Sequence, residues 1–180
     1  MERNENMNTA NWSAELTGRV SKAQITHWAR TLHHDAENIE SLLALLLRSP
    51  SGRVGMNAAW LLSHLSEEDK VAYLLPHRDE LIDFVMWPDI RFRHGLVLSI
   101  LLGMPVPEEL RTDFLDFCMD GLSCASYHDS CRSYMIRLAA SMCRPYPELQ
   151  EEFRQRLLLL PDGVPPSVAS ARERALKGKW

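Results

Sequence analysis

Glycine is scarce in this chain, with 8 in 180 residues. That leaves little material for phosphate-cradling loops, and the sequence contains no Walker or dinucleotide fingerprint. Cysteine is scarce too. The four residues Cys118, Cys124, Cys131 and Cys143 fall in one quarter of the chain, and no pair has the Cys-x-x-Cys spacing of zinc or redox motifs. They are expected to be reduced structural thiols, with Cys118 and Cys143 in the core. Long hydrophobic runs are missing. Leu42–Leu47 and Leu157–Leu160 are core-sized, far short of the roughly 18–20 residues of a membrane helix. The start, Met1 to Asn6, is polar with no apolar stretch behind it, so no secretion signal, no membrane and a cytoplasmic location are expected. Excess positive charge is absent as well. There are 24 Asp plus Glu against 20 Lys plus Arg, a net charge of −4, which argues against a basic nucleic-acid clamp.

Strict polar–apolar alternation is also hard to find, so strands are not expected. Apolar residues recur instead at three and four. Ile39, Leu42, Leu43 and Leu46 make one stripe; Ala58, Leu61, Leu62 and Leu65 make the next. Similar stripes run through Leu81–Val85, Val97–Leu101, Phe114–Cys118, Met135–Met142 and Phe153–Leu157. Each is one face of an α-helix. Turn chemistry falls between them at Ser49-Pro50-Ser51-Gly52, Trp87-Pro88-Asp89, Pro105-Val106-Pro107, Pro145-Tyr146-Pro147 and Pro161–Ser167. Asp89 and Ser167 are placed as helix caps, Glu108 and Glu109 as the acidic opening of a helix, and Pro147 at a first helical position.

The second helix of each hairpin carries a further pattern. Asn57, Arg93, Arg132 and Arg172 each stand three and four positions before an apolar pair, at spacings of 36, 39 and 40 residues. A period of that length with two helices per repeat is the signature of a helical repeat array. Two roles for these arginines stay open. They can bond to acids or carbonyls of a neighbouring repeat, or they can receive an acidic peptide or phosphate. The residues assigned to a partner surface are Arg91, Arg93, Arg132, Arg137 and Arg172, with His64 and Trp87; Trp60 is assigned to the core.

No catalytic constellation is visible as a motif, so no catalytic residue is assigned. His27, His33, His34 and Asp35 lie close in sequence. However, adjacent histidines on a helix point in different directions, and no further ligand has a recognised spacing, so no metal is expected. Asp113, Asp116 and Asp120 share one helical face and read as a solvated acidic surface.

The segments Met56–Leu62, Ile90–Leu98, Cys131–Leu138 and Ser167–Leu176 resemble second helices of HEAT repeats. The chain is similar to the small bacterial HEAT-like proteins of the armadillo-type class over about residues 36–178. The resemblance implies an all-α, right-handed α-α superhelix, a HEAT-like solenoid of about four hairpins. A polar, partly frayed segment 1–20, with a short helix near Trp12–Leu16, precedes a single domain spanning 21–180. The family brings no shared catalytic residues and no cofactor. It implies a non-enzymatic scaffold for a protein or peptide, with self-association through the end of the array, near Trp180, as a further partner class. The alternative is a HEAT-like nucleic-acid-binding or DNA glycosylase-like protein with a basic groove.

Overall fold

A computed structural model describes residues 9–90, 93–107 and 109–179. Arg91, Glu108 and Trp180 lie outside the described residues. All regular structure among the described residues is helical, as the stripes require, and the chain forms two compact units, residues 1–104 and 105–180.

Among the described residues, the first unit holds six α-helices of seven residues or more, with the short helical segments Glu67–Asp69, Lys70–Leu74 and Leu75–His77 between the fourth and fifth. The six are α1 (Thr9–Glu15), α2 (Lys22–Thr31), α3 (Ala36–Arg48), α4 (Gly52–Ser63), α5 (Arg78–Met86) and α6 (His94–Leu102). Local chemistry sets several starts. Ser21 and Gln24 form a reciprocal capping box at α2, Asp35 accepts the Asn38 N–H at α3, and Ser51 accepts the Val54 N–H at α4. Pro88 ends α5 by forcing Trp87 into extended backbone. First helices stack on one another, α1 on α3, and second helices likewise, α2 on α4 and α4 on α6. The faces so buried include Ile39, Leu42, Leu46, Leu61, Leu62, Val97 and Ile100. Each is worth about 1.5–3 kcal/mol relative to exposure.

Residues 12–20 depart from expectation. Trp12 and Leu16 are buried, with Trp12 only 1% exposed, and Val20 closes the same edge. Trp12 and Leu16 are one helical turn apart, a short apolar spacing hidden in polar surroundings, and Val20 follows in the connector to α2. So α1 and α2, joined by the edge-on Trp12–Trp28 ring contact, precede the four hairpins expected from the stripes.

The second unit holds α7 (Thr112–Gly121), α8 (Asp129–Cys143), α9 (Pro147–Leu158) and α10 (Pro166–Leu176). Its centre is α8, against which α7, α9 and α10 all pack. Pro147 does occupy the first helical position of α9. Three expected helix starts move. Asp89 lies in a short 3-10 turn, Pro88–Ile90, and α6 begins only at His94. The helix expected at Glu108 and Glu109 begins at Thr112, where Arg111 grips Asp113 through Nε and Nη2 at 2.9 and 2.7 Å. Ser167 is already inside α10, because Pro166 takes the first turn, where a missing N–H costs nothing.

The thiols follow the core. Cys118, Cys131 and Cys143 are buried, and burial raises all three, Cys143 to about 11. Cys124 is half-buried beside Ser126 Oγ at 3.0 Å, and that hydrogen bond favours the thiolate and pulls the group below the usual thiol range. Since the thiolate is the reactive species, iodoacetamide at neutral pH is expected to label Cys124 in the native protein, and the other three only after unfolding. Mass mapping of the alkylated peptides checks this; early labelling of Cys118 would contradict the packing.

Candidate functional site

The periodic polar residues share one task. Each reaches a carbonyl at the end of a helix, where the last four C=O groups have no partner within the helix. Asn57 Nδ2 donates to the carbonyls of Leu16 and Gly18, at 2.9 and 3.2 Å, beyond α1. Arg93 Nη1 donates to Leu46 at the end of α3, at 2.9 Å. Arg132 Nε donates to Leu122 at the end of α7, also at 2.9 Å. Arg172 Nη1 donates to Leu160 at 3.0 Å, beyond α9, and its Nη2 lies 3.8 Å from Asp162. A cation there also meets the negative end of the helix dipole. Lys70 repeats the device outside the periodic series: it is buried, and its Nζ donates to Ser63, the last residue of α4, at 2.9 Å.

In the first unit the donor reaches a helix of the preceding pair; in the second it reaches the first helix of its own pair. Asn57 and Arg132 are buried, Arg93 and Arg172 half-buried. The Arg93 guanidinium lies over the Phe84 ring, 5.8 Å from its centre, and against the bare Cα of Gly55, where a Cβ would fall 2.7 Å from Nη1.

The remaining expected site residues are dispersed. Arg137 is half-buried on α8. Trp87 stands at the end of α5 with 66% of its surface exposed. His64 ends α4, its Nδ1 3.0 Å from the Trp60 carbonyl, and it lines a cavity of about 400 Å³ with Arg30, His33, Ser66 and Asp69.

A second cavity, of about 430 Å³, opens over α4. Met56, Trp60 and Leu96 line it, and Arg19 and Arg53 stand at its edge. Trp60 is therefore half-buried and forms a wall of this groove, not the core position expected of it. Arg19 and Arg53 are exposed, and neither forms an ion pair among the described residues. The Met56–Trp60 spacing of four was a usable sequence signal for this face; the two arginines carried none, because neither falls in the periodic series.

His33 and His34 also depart from expectation. They follow α2 in a turn, and His34 has a left-handed backbone with φ of 61°. That twist brings both rings to one side, centres 3.8 Å apart. The two do not point apart as helical neighbours would. Both address Asp69, which is 1% exposed. Its Oδ2 accepts from His33 Nδ1 at 3.0 Å and from Ser66 Oγ at 2.6 Å, and its Oδ1 accepts the His34 backbone N–H at 3.1 Å. Burial pushes the Asp69 carboxyl up, but these hydrogen bonds outweigh it and hold it below the usual range. The same bond raises His33.

Stacked helix pairs, with a long-range donor closing the end of one helix after another, define an all-α helical repeat protein. The family described as HEAT repeat domain matches residues 12–179, and the chain belongs to it. No curated protein and no solved structure matches the chain.

Proposed function

We propose that this HEAT repeat protein is a non-enzymatic scaffold that binds a protein partner through a short segment carrying a large apolar side chain beside acidic residues. The observation that carries this is the groove of Met56, Trp60 and Leu96 edged by the arginines Arg19 and Arg53. An apolar floor supplies area, aromatic and Met side chains adapt to a partner, and an arginine is suited to bidentate carboxylate recognition. In this reading Asn57, Arg93, Arg132 and Arg172 serve the scaffold, since their donors are directed to helix-end carbonyls. Trp87 remains the aromatic group of the expected set most open to a partner, and it belongs to the same proposal.

The test is selection of a random displayed-peptide library on the full chain. Peptides joining Asp or Glu to Leu, Phe or Trp should be enriched. The double variant Arg19→Glu, Arg53→Glu changes two exposed residues and should lower their affinity about tenfold or more, equal to about 1.4 kcal/mol. No enrichment, enrichment of basic peptides, or undiminished binding by the double variant would each overturn the proposal.

A further inference from the structure

The turn after α2 and the short helical segment Glu67–Asp69 bring two imidazoles and two carboxylates together at one edge of the first unit. One ligand atom from each of His33, His34 and Glu68 lies within 4.8 Å of the others. From this juxtaposition we propose that His33, His34 and Glu68 bind a borderline divalent transition metal of the zinc type, with Asp69 as the buried carboxylate that orients the site.

The side-chain chemistry fits that class of ion. Two imidazole nitrogens and one carboxylate are the donor set of zinc sites that keep a fourth position for water, whereas calcium and magnesium prefer oxygen alone. Tetrahedral zinc with bonds of about 2.0–2.1 Å needs ligand atoms about 3.4 Å apart. The three side chains are exposed, at 48%, 55% and 69%, so closing from the present separation needs rotation of the exposed His34 and Glu68 side chains toward His33 and no change in the core.

Asp69 is what distinguishes the group from a chance surface cluster. An ionised carboxylate only accepts hydrogen bonds, so the 3.0 Å contact fixes the proton of His33 on Nδ1. That leaves the Nε2 lone pair for a metal, the carboxylate–histidine–metal arrangement that sets tautomer and ring direction. The other oxygen of Asp69 holds the His34 backbone in its left-handed conformation. A β-substituted residue such as His rarely adopts this conformation, and it persists because the buried carboxylate secures it. His33 also borders the cavity shared with His64 and Arg30.

Titration of the full chain with zinc chloride by calorimetry, and with cobalt(II) by visible absorption, tests the site. One equivalent should bind saturably, with cobalt giving the intense bands of a tetrahedral centre. His34→Ala and Glu68→Gln each alter an exposed side chain and should weaken binding at least tenfold. Asp69→Asn should weaken it 10- to 100-fold, as loss of an orienting partner does. His77→Ala, at the separate His77–Glu80 pair with Nδ1 and Oε2 3.7 Å apart, should leave binding unchanged. Should Asp69→Asn fail to fold, the His34 and Glu68 variants decide alone. Absence of saturable binding, or equal binding by the His34→Ala, Glu68→Gln double variant, would overturn the proposal.

Discussion

Trp12→Ala is expected to remove about 3–5 kcal/mol of stability. The ring is buried, meets Trp28 edge-on at 5.7 Å, and donates from Nε1 to Asn38 Oδ1 at 2.6 Å. Truncation opens a cavity and leaves the buried Asn38 oxygen without that donor, an additional cost of about 1–3 kcal/mol where no water reaches it. Trp12→Phe separates the two effects: it keeps most of the apolar body and loses only the donor, so it should cost about 1–3 kcal/mol. Urea denaturation followed by circular dichroism measures both. A loss under about 1 kcal/mol for Trp12→Ala would mean that α1 contributes nothing to the core.

Arg93→Ala is the second large effect, about 1–3 kcal/mol. It removes a charged donor from the Leu46 carbonyl and a cation from the Phe84 ring. The same urea titration reads it, and an unchanged midpoint would deny the clasp any weight. Its neighbour Gly55 lies inside α4, where glycine is about 1 kcal/mol worse than alanine. The close approach of the guanidinium explains why it is there: the three atoms nearest to a Cβ at Gly55 all belong to Arg93, at 2.7, 2.8 and 3.2 Å.

These residues show how far the sequence could be followed. The stripes gave α3 to α9, though not α1, α2 or α10, because burial on one face imposes its period directly on residue type. Helix starts were less legible. Asp89, Glu109 and Ser167 are sound capping chemistry, but a 3-10 turn, the Arg111–Asp113 pair and Pro166 each moved the start. The series Asn57, Arg93, Arg132 and Arg172 was visible by spacing, while its role was not. Its partners are backbone carbonyls, which every residue carries, so no residue type marks them. The groove arginines and the His33–His34 pair were hidden for a related reason. Arg19 and Arg53 meet only through tertiary stacking, and the left-handed backbone of His34 appears where sequence would suggest glycine or asparagine.

The central claim is that the periodic side chains are clasps within the repeat scaffold. The most direct measurement is the urea stability of Gly55→Ala in two backgrounds. With Arg93 present, the new methyl displaces the guanidinium, and the lost clasp minus the gain in helix propensity should destabilise the protein by up to about 2 kcal/mol. With Arg93→Ala, the space is vacant and the same change should stabilise it by up to about 1 kcal/mol. That reversal of sign is the predicted result; an effect of the same sign and size in both backgrounds would contradict the account.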